Sequence, residues 1–449
     1  MSFPRYPEYK DSSDPWLGEV PAHWNSASLR WVTTRYAGGT PDKLNQDYWV
    51  DGTVPWLNSG AVNQGLISEP SAFITQDAYE NSSAKWIPEG ALVMALAGQG
   101  KTKGMVAQLA IASTCNQSMA AIVPNDEVAP RYLYWWLTSN YQNVRNMAGG
   151  DLRDGLNLEL LGNIPCPLLP IKEQFAIATF LDRETAKIDA LVAEQEKLIA
   201  LLKEKRQAVI SHAVSKGIDP NATMKDSGVA WLGKVPAHWK ISQSRRLFSE
   251  RKDRAFGEDR QLTASQKHGV IYQDEFMALE GQKVVQVIHG ADILKHVEPN
   301  DFVISMRSFQ GGIEWCGLPG SISSAYVMLI PSESIVPGFF RYLFKSSSYI
   351  QALQSTTNLV RDGQALRYAN FTLVDLPVVP VDEQTAIAAF LDQETAKFDA
   401  LTAEAEKGIA LLKERRSALI TAAVTGKIDV RGVAGQVESA SHETAGLPA

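Results

Sequence analysis

The chain has 449 residues, 45% of them hydrophobic and 21% charged, with a formal net charge of −7. Such a composition excludes a disordered or fibrous chain and provides for two or three packed domains. The acidic balance argues against a free-standing nucleic-acid binder, unless basic residues cluster or partner subunits supply the phosphate contacts. No apolar run approaches the ~18 residues of a membrane span, and the N-terminus has no apolar signal core. Cys115, Cys166 and Cys316 are scattered and odd in number, which reads as reduced thiols in a cytoplasmic protein.

In chain order, the first distinctive segment is WLGEVPAHW at residues 16–24, which recurs as WLGKVPAHW at residues 231–239. The tryptophans, Pro21 and Pro236 predict a rigid packed segment. His23 and His238, each flanked by Ala and Trp, read as packed and hydrogen-bonded rather than catalytic. Residues 25–169 read as a mixed α/β insert. SLRWVTTRYAG and ALVMALAG predict strands, with turns at Gly38-Gly39 and Asp51-Gly52. Residues 131–145 predict an amphipathic helix, and the Pro-rich connector NIPCPLLP follows.

The second insert, residues 240–380, opens with Lys240, Arg245, Arg246, Arg251, Lys252, Arg254 and Arg260, interleaved with Glu250, Asp253, Glu258 and Asp259. A solvated mixed-charge face and a DNA face account for this run equally well. MRSFQGG, the strand SISSAYVMLIP, the helix FFRYLFKSSSYIQAL and the connector DLPVVP come next. The two inserts share element order more than sequence, as expected if each reads something different.

Each connector delivers the chain to the same unit. Residues 170–219 match residues 380–429 at 33 of 50 positions, which marks a duplication. The copies are rich in Ala, Leu, Glu, Lys and Gln, the best helix formers. Gly217 and Gly426 read as their stops. Apolar spacings of three and four place Ile188, Leu191, Leu198, Leu202 and Val209, with Phe398, Leu401, Leu412 and Leu419, in an expected helix-pair seam. A helix of roughly 40 residues is ~60 Å long and needs a partner for its stripe; the other copy is at hand. The predicted architecture is α+β: two globular α/β domains joined by two long helices that form an antiparallel coiled coil, as a pseudo-twofold internal repeat. Its segments are a first domain at 1–170, a central helix at 171–219, a second domain at 220–380, a distal helix at 381–429, and a tail at 430–449 that reads as disordered.

Sequence motifs for catalysis are weak. ALAGQGKT at residues 95–102 is a relaxed phosphate-loop pattern that would use Lys101 and Thr102 in a nucleotide-dependent enzyme, but a turn and strand are expected after Thr102 instead of the required helix. No metal cluster, nucleophile elbow, methyltransferase tetrapeptide or nuclease cluster is evident. A coiled-coil scaffold without a nucleic-acid role is the other alternative.

The duplicated E-Q-x-A-I-A-x-F-L-D at Glu173 and Glu383, L-L-K-E-K/R-R at Leu201 and Leu411, and the segments MRSFQGGIEW and SISSAYVML resemble the specificity subunit of Type I restriction–modification systems. The resemblance covers nearly the whole chain. It implies that each insert is a target recognition domain for one half of a split double-stranded DNA site, and that the helices set the spacer. It implies two docked methyltransferase subunits and further translocase–nuclease subunits. No catalytic residue is then expected in this chain, and S-adenosylmethionine, ATP and Mg would belong to the partners. Under that reading, donors in Gly-rich or polar loops are the candidate DNA contacts: Lys101, Lys103 and Arg153 in the first insert, and Arg307, Ser308, Gln310, Arg361 and Arg367 in the second.

Overall fold

The structure, a computed structural model, describes residues 3–98, 100–148, 155–281, 293–305, 308–356 and 366–432. The chain divides into two compact units: residues 1–194 with 408–449, and residues 195–407. The two long helices are Ile171–Lys216 and Val381–Val424, so each contributes part of its length to each unit. Gly217 and Gly426 follow them with φ of +74° and +71°, the left-handed stop that glycine adopts without a Cβ penalty.

The first unit is built on a five-stranded sheet, in the order Thr33–Ala37, Met119–Pro124, Leu92–Ala95, Val106–Leu109 and Leu66–Ile67. A second sheet joins Thr114–Cys115, Val54–Leu57 and Ala72–Ile74. The expected helix over 131–145 is two helices, Pro130–Ser139 and Tyr141–Asn146, broken at Asn140. The connector strand Pro165–Leu168 pairs with Asn25–Ser28. One core gathers Leu17, Val20 and Trp24 of the tryptophan segment, Tyr132, Trp135 and Trp136, Ile177, Phe180 and Leu181 from the start of the first long helix, and Ile420, Ala423 and Val424 from the end of the second. Val430 is fully buried and the Arg431 guanidinium lies 4.8 Å from the Tyr6 ring centroid. The start of the stretch expected to be a tail therefore belongs to this unit; residues 433–449 lie outside the described residues.

The second unit repeats the plan. Its four-stranded sheet runs Phe248–Arg251, Val327–Pro331, Phe302–Ile304 and Glu314–Trp315. The expected single aromatic helix is again two, Pro337–Leu343 and Ser347–Ser355, because Ser346 adopts an extended backbone (φ −69°, ψ 142°) before the second begins. Asp375–Val378 pairs with Lys240–Gln243. Trp239, Phe339, Phe340, Ile387 and Leu391 share a core with Ile210, Ala213 and Val214. Two residues of the basic run at its start are neutralised within the unit: Arg251 is paired with Asp301 and Asp253, and Arg260 with Asp274.

The glutamate and glutamine that open each helix repeat fasten it to the globular part. Buried Glu173 accepts hydrogen bonds from the Tyr6 hydroxyl (2.6 Å) and the Trp24 indole (3.0 Å) and pairs with His23 (3.0 Å). Fully buried Gln174 accepts from the Ala129 N–H at 2.8 Å, where the aromatic helix begins, and donates to the Glu127 and Leu169 carbonyls at 2.8 and 2.9 Å. Gln384 repeats this with the Val336 N–H and the Ser334 and Val379 carbonyls. Glu383 pairs with His238 at 2.7 Å, but Asn221 stands in the place of Tyr6, and the Trp239 indole finds no acceptor among the described residues. The two histidines are thus structural.

Within the first unit, Arg416 holds Asp189 at 2.8 Å; within the second, Arg206 holds Asp399 at 3.3 Å. Each unit so contains an antiparallel helix pair. The covered positions are 188, 192, 195, 199, 202, 206 and 209 in one helix and 398, 402, 405, 409, 412, 416 and 419 in the other, an alternation of four and three that is a heptad seam. Ile188, Leu202, Val209, Phe398, Leu412 and Leu419 are among these covered positions. Leu191, Leu198 and Leu401 do not: they are 51%, 43% and 50% exposed. Gln195, Arg206, Thr402 and Arg416 keep the 3.5-residue period where leucine does not.

The cysteines are free and buried, and burial pushes the Cys115 and Cys166 thiols up to about 12, so thiolate chemistry at neutral pH is suppressed. In the second unit His296 is buried between Asp259 (2.8 Å from Nδ1) and Glu298 (2.7 Å from Nε2). Burial works against its charge, but the bonds to Glu298 and Asp259 outweigh it and raise the pKa above 6.5; only the imidazolium donates from both nitrogens.

Two predictions follow from these fasteners. Gln174→Ala strands a buried N–H and two carbonyls and should destabilise the chain by about 2–4 kcal/mol, against about 0.5 kcal/mol or less for exposed Gln142→Ala, in chemical denaturation. His296 has a raised native pKa, so its contribution is complete below the ordinary histidine value and is lost as pH rises through the native one. The stability gap between the wild type and His296→Gln should therefore shrink as pH rises above the ordinary histidine value of about 6.5; a constant gap would show that the imidazolium is not what stabilises.

Candidate nucleic-acid interface

The candidate reading loops occupy the same place in each unit. In the first, residues 96–105 connect strands Leu92–Ala95 and Val106–Leu109. Gly104 has φ +83°, and a Cβ there would come to 3.4 Å from the Arg145 Cα, so the loop lies close against the helix Tyr141–Asn146. The Tyr141 hydroxyl donates to the Lys101 carbonyl (2.6 Å) and accepts from Arg145 (3.1 Å), and the Leu156 N–H donates to the Leu96 carbonyl (2.8 Å). A recess of about 340 Å³ beside the loop is lined by Lys101, Val62, Met105, Tyr134 and Tyr141.

In the second unit, residues 305–313 connect Phe302–Ile304 to Glu314–Trp315. Gly312 has φ +79°, and a Cβ would fall 2.1 Å from the Phe344 carbonyl oxygen, so only glycine fits. Lys345 donates to the Gly311 carbonyl at 2.9 Å and is ion-paired with buried Glu314; Gln354 donates to the Phe309 carbonyl. In both units the loop after the same strand is therefore held by the helical pair. A loop whose backbone is fixed by side chains from a packed element presents its free side chains in one geometry, which sequence reading by hydrogen bonds needs.

The candidates separate by exposure. Lys101, Gln310 and Arg367 are exposed. Lys101 and Gln310 lie on the held loops; Arg367 precedes the short helix Tyr368–Phe371, its N–H bonded to Asn370 Oδ1 at 3.0 Å. Lys103 and Ser308 are corrections. Lys103 is 3% exposed and is engaged within the protein. Ser308 is fully buried, its hydroxyl accepting from the Ser305 N–H at 2.8 Å, so it shapes the loop and cannot reach DNA. Arg153, Arg307 and Arg361 lie outside the described residues. Sequence reasoning missed the residues that hold the loops: Tyr141, Arg145, Lys345 and Gln354. Their one signal is position, just past the aromatic helix in each insert.

The phosphate-loop pattern is not borne by a phosphate-loop fold. After Thr102 the chain turns at Lys103 and Gly104 into the strand Val106–Leu109, so no helix N-terminus faces a phosphate there. Among the described residues no group of three His, Cys, Asp or Glu gathers for a metal, and no helix is long and apolar enough to cross a membrane.

Comparison with known proteins follows the same division. The family model described as "Type I restriction modification DNA specificity domain" matches residues 21–200. The EcoR124I/EcoR124II specificity subunit of Escherichia coli is 27% identical over 152 residues, 33% of this chain and 37% of that one, so this match spans well under half of the relative. The EcoKI specificity subunit of Escherichia coli strain K12 is 19% identical over 92% of this chain and 90% of its own length. The HsdS subunit from Thermoanaerobacter tengcongensis shares the fold, with a TM-score of 0.53 at 17% identity over 91% of this chain and 98% of that one. In its family-model match over residues 21–200, in sequence and in fold, the chain is similar to the specificity subunits of Type I restriction–modification systems.

If Lys101 meets a phosphate, Lys101→Ala should weaken DNA binding and lower the slope of log affinity against log salt by about 1, measured on the full chain. Lys103→Ala should instead lower the unfolding midpoint; an effect on DNA binding at unchanged stability would contradict its buried role.

Proposed function

We propose that this chain is the non-catalytic DNA-recognition subunit of a Type I restriction–modification enzyme, each unit reading one half of a bipartite site. The observation that carries this is the doubled scaffold: the same sheet, the same helical pair and the same fastened loop occur twice, while the exposed loop residues differ. Lys101 stands in one loop and Gln310 in the other. Gln suits adenine in the major groove, and Lys suits guanine or a phosphate. Two rigid readers at a separation fixed by protein are what a split site requires.

Catalysis then belongs to partners. Two methyltransferase subunits would bring S-adenosylmethionine and take up the flipped adenine; translocase–nuclease subunits would bring ATP and Mg. The exposed leucines of the long helices are the docking surface this reading favours. They come in repeat-equivalent pairs, Leu191 with Leu401 and Leu201 with Leu411, each 50–57% exposed. Identical exposed leucines at duplicated positions fit two copies of one partner, one per repeat.

Co-expression with the methyltransferase from the same operon, followed by sequencing of host DNA for N6-methyladenine, tests the reading. A split motif that disappears when this chain is omitted is the expected result; an assembled complex that leaves no motif would overturn it. Leu191→Asp with Leu401→Asp should reduce the methyltransferase recovered with the purified chain by at least about tenfold, since two buried leucines stabilise by ~3 kcal/mol or more.

A further inference from the structure

Phe180 and Phe390 occupy the same position in the two helix repeats, yet their surroundings differ. In the first unit Phe180 is 1% exposed. Phe3 covers it, with ring centroids 5.2 Å apart and planes at 88°. Phe3, Leu419 and Ile428 all pack against that unit's core, and the Asp429 N–H donates to the Pro4 carbonyl at 2.8 Å. An extended N-terminal segment thus fills a groove between the start of one long helix and the end of the other.

In the second unit the same groove is open. Phe390 is 37% exposed, and so is its neighbour Ile218, at 41%. With Ala208, Val209, His212 and Pro220 they line a cavity of about 400 Å³. Val209 and Ile218 are the repeat equivalents of Leu419 and Ile428, and Asp219 that of Asp429. The turn is kept as well: Asp219 Oδ1 accepts from the Asn221 N–H at 2.9 Å, as Asp429 Oδ1 does from the Arg431 N–H at 3.1 Å. What is missing is the covering segment, because here the helix runs directly into the next strand pair and no second N-terminus is available.

We propose that this groove of the second unit binds an extended segment of a partner protein that presents one aromatic side chain to Phe390, as Phe3 is presented to Phe180. The first unit shows what such an occupant looks like: a phenylalanine set edge-on against the helix phenylalanine, with the backbone carbonyl of the next residue for the aspartate N–H of the turn. The inference does not depend on whether the units read DNA.

A labelled peptide of residues 2–8, SFPRYPE, is the probe, titrated into the full chain and followed by fluorescence anisotropy. One saturable site is expected. Phe390→Ala should weaken it by about tenfold or more, and Ala208→Trp, which fills the groove from an exposed helix position, should abolish it. Phe3→Ala should raise the stoichiometry from one to two by opening the groove of the first unit. Circular dichroism on each variant separates loss of the site from loss of the fold. Absence of saturable binding to a folded wild type, or binding indifferent to both groove variants, would overturn the proposal. Self-association of the wild type that Ala208→Trp removes would also overturn it, by making a second copy of this chain the occupant.

Discussion

Two side chains at the start of each long helix hold the architecture together. A helix begins with N–H groups that lack partners, and a globular domain must end somewhere on its surface. Gln174 and Gln384 join those two needs. Each is buried at 0–1% exposure and spends its amide on a backbone N–H and a carbonyl at the opening of the aromatic helix and on a carbonyl just before its own long helix. Glu173 adds a buried carboxylate that accepts from Trp24 and Tyr6. Buried polar groups are unforgiving: satisfied, they define one geometry, and unsatisfied, each weakens the fold by ~1–3 kcal/mol. Within each unit the start of the helix is thereby fixed against the globular part by the same few bonds. On the proposed function, loops that present Lys101 and Gln310 would inherit that rigidity.

The two repeats spend these bonds differently. In the first unit Tyr6, His23 and Trp24 all converge on Glu173. In the second, His238 alone reaches Glu383, and Trp239 keeps a buried indole N–H without an acceptor among the described residues. The difference traces to chain connectivity. The first unit closes on itself with a separate N-terminal segment, and the second is entered from the end of a helix. The same change leaves Phe180 covered and Phe390 open. The helices and the fastening dipeptides recur in both repeats, whereas the segment that carries Phe3 and Tyr6 does not.

Much of this was legible in the chain itself. The repeat at residues 170–219 and 380–429, the tryptophan segments, the helix stops at Gly217 and Gly426 and the α/β inserts are all local or self-similar signals. The seam was only partly legible. Choosing leucines picked out Leu191, Leu198 and Leu401, whereas the strict 3.5-residue period passes through Gln195, Arg206, Thr402 and Arg416. Arginine is tolerated there because Asp189 and Asp399 neutralise it. The role of the Glu–Gln pair was not legible, because the partners of Glu173 lie about 150 residues away in sequence. Burial misled in the loops: Lys103 and Ser308 look like free donors in a polar stretch, and only the folded chain shows them turned inward.

The central claim is that each unit is a self-contained reader. Exchange of residues 25–169 for the corresponding insert of another specificity subunit tests it most directly, with the methylated motif of the assembled enzyme as readout. The account predicts that one half-site changes while the other half and the spacer stay as they were. A change in both halves, or a new spacer with the old halves, would contradict it.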